Sequence, residues 1–286
     1  MATRVTSFIR KYSDVLLALP AVLWLLIFFI MPLIIVAVIS MMTRDVNGIA
    51  QFPLTFDNYE RVFQVYDSVL IRSVRIAFVA TIICLVVGYP LAFFIKTRQN
   101  AWVRNLGLFL VILPFWTNFL VRTYAWRVLL GPEGTINTFL MNTGILNQPL
   151  EILYTETGVM LGLVYGFLPF MVLPIYASVE RFDFKYVEAA RDLGSNDWQT
   201  FWRVVLPLTM PGVIAGCILV FIPAIGAYVT PDLLGGTRGL MIGNLIQRQY
   251  NGNTPNLPVG AALSMVMMGA VMISLLVYAR FAGRTR

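Results

Sequence analysis

From Val15 to Met42 the chain runs 28 residues without a charged side chain. About 20 apolar residues suffice for a helix to cross the hydrocarbon core of a bilayer, so this run reads as a membrane span. It is too long for the apolar region of a signal peptide, and no small-x-small cleavage site follows it, so an uncleaved first span is expected. The rest of the chain agrees: 58% of its 286 residues are hydrophobic and only 12% charged. A soluble domain of that size could not hide so much apolar surface. Five more apolar segments follow, at 76–95, 106–121 (with a start as early as Ala101), 158–179, 211–230 and 259–278. None of the six contains Asp, Glu, Lys, Arg or His. The expected fold is therefore an all-α integral membrane protein with six transmembrane helices, 1–14 being a cytoplasmic N-terminus and 15–286 a single transmembrane domain.

Orientation follows from Lys and Arg in alternate connections, because cytoplasmic loops carry the excess. Thirteen of the 21 basic residues lie on one side, at the N-terminus (Arg4, Arg10, Lys11), near 96–104, in 180–210 and in the tail with Arg280, Arg284 and Arg286. The other eight, Arg72 and Arg75 among them, lie opposite. The acids divide six and eight, so the net charge of +7 falls wholly on the first side. Both termini are expected in the cytoplasm, and the surplus is matched to anionic lipid rather than to nucleic acid. The chain has no histidine, which removes the commonest general base, metal ligand and proton relay. Cys84 and Cys217 each sit inside an apolar run and offer neither metal spacing nor a disulfide framework.

The spans hold Pro20, Pro32, Pro90, Pro114, Pro169, Pro174 and Pro223. Each bends a helix and frees a carbonyl, which lipid cannot satisfy. Such bends suit helices that line a path or move, although proline is also commoner in membrane helices generally. Gly158, Gly162 and Gly166, like Gly212 and Gly216, recur every four residues, a spacing that lets two backbones approach closely. Two outer connections, 122–157 and 231–258, are long and carry strong turn signals, Gly131-Pro132-Glu133-Gly134 and Asn251-Gly252-Asn253-Thr254-Pro255. Excursions of this length often receive a partner or ligand.

The segment 180–210 reads as two short helices with a break. Asp183 can cap the first. Gly194 sits where a left-handed residue ends it. Asn196, with Gln199 three residues on, makes a capping box for the second. Leu206 precedes Pro207, which disfavours continuation. Phe201, Val204, Val205 and Leu208 form an apolar stripe at helical spacing. From these features alone, a helix pair lying on lipid headgroups and a docking element for a partner are both open.

The same segment resembles the EAA loop of binding-protein-dependent ABC importers: Glu-Ala-Ala, three residues, Gly, nine residues, then Ile-x-Leu-Pro. Glu188, Ala189, Ala190, Gly194, Leu206 and Pro207 match at the family spacing, Asp192 lies between, and Val204 replaces the usual isoleucine. The resemblance implies a type I, MetI-like permease fold with a cytoplasmic coupling helix seated in a groove of an ATPase. It extends over nearly the whole chain to the permeases for spermidine and putrescine. It runs through Pro114-Phe115-Trp116-Thr117-Asn118, Arg122-x-Tyr124-Ala125-Trp126, Leu168 to Tyr176, Phe221-Ile222-Pro223-Ala224, Asp232-Leu233-Leu234-Gly235-Gly236 and Met241-Ile242-Gly243-Asn244. Permeases for opines and other amines share much of this.

The chain has no G-x-x-x-x-G-K-[ST] phosphate loop. The resemblance therefore implies that ATP and Mg are held by a separate cytoplasmic ATPase dimer, with no cofactor in this chain. It further implies a second permease subunit (a different chain in polyamine systems), a periplasmic binding protein, and a multi-pass position in the bacterial inner membrane. An ion-coupled transporter is the alternative from another class. Such proteins carry ionisable groups deep in the bilayer, and these spans have none. A membrane-embedded enzyme has still less support, and no catalytic residues are assigned. For a polycation, Trp116, Asn118, Tyr124, Trp126, Tyr165 and Tyr228 would supply aromatic faces and oxygens, with Asp232 as an acid just outside span five. Each aromatic can equally be bilayer packing. The orientation has a direct test. Tags at residues 1 and 286 should both be shielded in sealed cells, and a tag reached from the periplasm contradicts it.

Overall fold

The structure is a computed structural model that describes residues 18–252 and 254–282. The expectations for 1–14, for the first span at 15–17, for Asn253 and for Arg284 and Arg286 lie outside those residues.

The first span is α1 (Ala18–Ser40), with a π turn at Leu26–Ile30. It ends before Met42, which instead opens an antiparallel hairpin of β1 (Met42–Arg44) and β2 (Ala50–Leu54). The amphipathic helix α2 (Asp57–Val65) follows, and its Asn58 donates to the carbonyls of Ser40 and Met42, closing the hairpin onto the end of α1.

The second span, α3 (Asp67–Thr97), begins well before residue 76. Arg72 and Arg75 are inside it rather than flanking it. Both pair with Glu156 in the first turn of α7 (Glu156–Arg181), the fourth span. A shared carboxylate neutralises part of their charge, and so the helix extends outward past its apolar stretch. The third span is not one straight helix over 106–121, as the sequence led us to expect. It is α4 (Ala101–Trp116), closing in a 3-10 turn, and α5 (Phe119–Leu129), bent 95° apart at Thr117–Asn118. A short outer helix, α6 (Thr135–Asn142), lies in the 122–157 connection. Its buried Asn137 clamps that excursion through Gly131 O and both backbone groups of Leu150.

On the far side of α7 come α8 (Lys185–Asp192) and α9 (Asp197–Ile225). The fifth span thus starts at Asp197 and not near 211, and it ends at Ile225, so Tyr228 and Thr230 lie beyond it. Two outer helices, α10 (Val229–Leu234) and α11 (Ile242–Asn251), precede the last span, α12 (Leu257–Ala282). Among the described residues five helices are long and apolar enough to cross a membrane, and the bent pair α4–α5, counted as one span, makes six.

Two compact units are distinguished: residues to Val65 with Arg248–Met268, and Tyr66–Gln247 with the chain from Gly269. In the first, the hairpin turn is held by Leu257 N–H donating to Gly48 O. The core of the second is the trio α3, α7 and α9, around fully buried Ala92, Met171, Val172, Ile175 and Val220. Between lipid-facing helices, apolar burial gives little net drive, so close van der Waals contact must hold the trio. The glycines serve that end. A Cβ on Gly212 would strike Ser178 Oγ and come within 2.5 Å of Pro174 O, and one on Gly216 would sit 2.7 Å from Met171 Sδ. On the other glycine face, a Cβ on Gly162 would lie 2.6 Å from Leu234 and Thr230 of α10, whereas one on Gly166 would meet only Phe119, at 3.7 Å. Gly212→Ala should accordingly cost about 1–3 kcal/mol by overpacking and lower the thermal midpoint of the purified protein in detergent. Gly166→Ala should leave it unchanged or raise it. Equal effects of the two variants would contradict the packing.

Candidate functional site

Two places gather the residues singled out in the sequence. The first is the segment 180–210. The Asp183 carboxylate accepts from Lys185 N–H at the start of α8. The helix ends on Gly194 at φ +82°, with Gly194 N–H donating to Arg191 O and Ser195 N–H to Ala190 O. That pair of bonds is a Schellman cap, and glycine adopts the left-handed turn without the strain a Cβ would bring. Open space surrounds Gly194, so the constraint there is conformational alone. The capping box of Asn196 and Gln199 is present, and it opens α9. Arg191 reaches across the turn to Asp197 at 2.8 Å, tying α8 to α9.

The expected break at Leu206–Pro207 does not occur. A π turn at Phe201–Val205 places the Leu206 N–H on Phe201 O, and Pro207 enters as the first turn of the following α stretch, where its missing N–H does no harm. The extra residue in the turn also rotates the apolar stripe. Val205 is buried, while Leu208 turns outward. So 197–210 is the inner end of span five and not a loop. Between α8 and the start of α9 lies a cavity of about 410 Å³ walled by Phe93, Phe184 and Phe201 and rimmed by Glu188 and Arg191. Ala189 and Ala190 lie on α8 with Asp192 at its end, and Glu188 has no hydrogen-bond or ion-pair partner among the described residues.

The second place is where spans three and five are interrupted. Asn118 Oδ1 accepts from Leu120 N–H and caps the start of α5. The carbonyl of Pro114, left open by the break at Thr117–Asn118, accepts from Thr117 Oγ1 at 2.9 Å and from Arg122 at 2.7 Å. Arg122 also lies over the rings of Phe119 and Tyr165. A guanidinium on a carbonyl and two aromatic faces has its charge engaged. Arg127 likewise donates to the Tyr154 hydroxyl. Trp126 packs edge-on against Tyr165 at 5.3 Å, which joins α5 to α7. Trp116 sets its edge against Phe109 of its own helix and remains 75% exposed. Tyr124 and Tyr228 are half exposed.

Beyond Ile225 the chain turns at Gly226–Tyr228 into α10, which packs on both α5 and α7. Asp232 is exposed on α10, one turn after Tyr228. The structure thus sets Trp126 against Tyr165 and brings Tyr228 and Asp232 together on neighbouring elements. It keeps Trp116 at the break itself. The sequence reading overlooked the buried Asn244, which donates to Tyr228 O. Its signal was present in Met241-Ile242-Gly243-Asn244, quoted for its family likeness alone. Tyr154, held at φ +64°, gave no signal in the sequence.

With this geometry in view, the likenesses to known proteins can be placed. Residues 85–286 match the family described as binding-protein-dependent transport system inner membrane component. The spermidine/putrescine transport system permease protein PotB of Haemophilus influenzae is 46% identical over 258 residues, covering 90% of each chain. Among solved structures, a bacterial alginate ABC transporter in complex with an alginate pentasaccharide-bound periplasmic protein matches with a TM-score of 0.76 over 98% of both chains, at 18% identity. The MetNI methionine ABC transporter in inward-facing conformations matches with a TM-score of 0.60 over 79% of this chain and 99% of its own, at 15% identity. These two show the fold, an all-α membrane fold shared with the MetNI transporter.

Proposed function

The chain belongs to the inner membrane components of binding-protein-dependent transport systems, and from that premise we propose that it forms half of the path of an ATP-driven importer for polyamines. It is a multi-pass transmembrane permease subunit, not an enzyme. In the proposed assembly a second, different permease completes the path. A periplasmic protein delivers spermidine or putrescine, and a cytoplasmic ATPase dimer holds ATP and Mg. Both termini face the cytoplasm of a bacterial cell. The observation that carries the substrate is the 46% identity to a spermidine/putrescine permease along 90% of the chain.

The geometry supports the reading at both ends. At the inner end, Glu188 offers an unpaired carboxylate beside a cavity, where a basic group of the ATPase would meet it. Glu188, Ala189, Ala190, Asp192 and Gly194 then form the coupling element. Because α9 starts at the turn that follows that element and runs through Leu206 and Pro207 to Ile225 as one helix, a push on the element passes through the turn and along α9 to Gly226–Tyr228. At the outer end, exposed rings attract ammonium groups by about 0.5–2 kcal/mol each. Several weak sites suit passage better than one strong one, since the ligand must also leave. Trp116, Tyr124 and Tyr228 provide exposed rings and Asp232 the acid, with Trp126 and Tyr165, packed on each other and the latter shared with Arg122, behind them. Arg122 and Arg127 keep their positive charge, but each is held against a neutral group of the protein, Pro114 O and the Tyr154 hydroxyl, rather than free at the entrance.

The test is uptake of radiolabelled putrescine and spermidine by the complete transporter, in cells lacking their own polyamine systems. The intact transporter should accumulate both. Glu188→Lys and Gly194→Asp should abolish uptake or uncouple it from ATP hydrolysis while the protein still reaches the membrane. Wild-type transport by both variants defeats the coupling role. Transport of a sugar or an anion, and of neither polyamine, defeats the substrate assignment alone.

A further inference from the structure

The outer helices α10 and α11 stand beyond the spans, yet one of the most completely buried polar side chains of the protein is found there. Asn244, in the first turn of α11, is 1% exposed. Its Nδ2 donates to Tyr228 O at 2.7 Å and lies 3.5 Å from Asp232 Oδ1, while its Oδ1 accepts from Met241 N–H at 3.3 Å. A buried amide that loses its partners is costly, so these bonds hold the three segments to one another. The neighbouring residue makes the fit one of shape as well. A Cβ on Gly243 would lie 2.6 Å from Ala227 O and 2.7 Å from Gly226 O, so only glycine lets α11 lie against the turn that ends span five. Ile242 N–H donates to Ser73 Oγ of α3, which anchors the same first turn to the helix core.

We infer that Asn244 is a positioning residue for polyamine entry, fixing the Tyr228 backbone and the Asp232 carboxylate so that the acid meets an incoming ammonium group in one orientation. This rests on the proposal above that Asp232 faces the polyamine. Asn244 fixes the turn that leads into α10 through its 2.7 Å bond to Tyr228 O, and its amide, 3.5 Å from Oδ1, biases the Asp232 carboxylate toward one side. A free one on a short exposed helix samples several rotamers and must be ordered by the ligand, which weakens binding. Held in place relative to the Tyr228 ring, the acid and the ring together fix the spacing at which a cation's groups are met. Asn244 therefore acts on affinity and on the preference for spermidine over putrescine, without touching either.

A double-mutant cycle of Asp232→Asn, Asn244→Ala and the pair, in the complete transporter reconstituted with its ATPase, second permease and binding protein, decides the matter. The concentrations giving half-maximal uptake of labelled spermidine and putrescine are the readout, normalised to permease assembled in the membrane. Each single variant should raise the spermidine value on the order of tenfold and narrow the spermidine-to-putrescine preference. The double variant should be no worse than the worse single. A loss that is purely structural would lower maximal uptake of both substrates alike and leave the preference intact, which overturns the inference. So would full multiplicativity of the two effects, or an Asn244→Ala variant indistinguishable from wild type beside an impaired Asp232→Asn. If Asp232→Asn itself is silent, the polyamine-facing role of Asp232 falls, and the inference with it. Should Asn244→Ala fail to assemble, Asn244→Ser replaces it in the cycle. That variant is neutral and small but loses the donor to Tyr228 O, and the same outcomes apply.

Discussion

The approach of α7 to α9 at Gly212 and Gly216 is the contact on which the rest of the second unit depends. Ser178, Pro174 and Met171 of α7 lie where side chains on those glycines would stand. In a membrane such closeness replaces the hydrophobic drive of a soluble core, because dispersion grows only as backbones meet. The other glycine face of the same α7 accepts Leu234 and Thr230, so one helix locates both span five and the outer helix that follows it. The inner end of α9 carries the capped turn at Gly194–Asn196, and its outer end leads into Tyr228 and Asp232. Two candidate sites on opposite faces are thus parts of one packed body.

A second constraint shapes the places where this body departs from regular helix. No water is at hand in hydrocarbon for a freed carbonyl, so each interruption must satisfy itself. At Pro114 a threonine hydroxyl and an arginine do so, and the latter explains why a charged residue stands beside an apolar break. At Pro207 the chain runs on through a π turn in which Leu206 N–H donates to Phe201 O, and the proline enters in the first turn of the following α stretch. The third span is bent 95° at Thr117–Asn118, whereas Asp197–Ile225 continues as a single helix.

These contrasts also mark what the sequence could convey. Number and order of the spans, the left-handed turn at Gly194 and the capping box at Asn196 are local matters, fixed by hydropathy and by side chains within four residues, and all were legible. The continuity of α9 was not, since the rule that a residue before proline leaves the helix is local too and was outweighed by the π turn and by burial of Val205. The position of Arg72 and Arg75 inside α3 depends on Glu156, some eighty residues away, and no periodicity announces it. Of the residues foreseen for the substrate path, Asn118 is committed to capping α5. Asn244 was visible as part of a motif, but its role depends on which backbone it meets in the folded chain.

The central claim is that one unbroken helix runs from the turn beside the cytoplasmic element to the outer turn, so that motion at one end is delivered at the other. Spin labels on cysteines placed at Gln199 and Leu219, with Cys84 and Cys217 replaced, would span about 30 Å at 1.5 Å per residue. Their separation, measured in the complete transporter with and without bound nucleotide, tests the claim directly. A rigid helix predicts the same distance in both states, while a change of several ångströms would mean that α9 hinges at the π turn or at Pro211, and would contradict it.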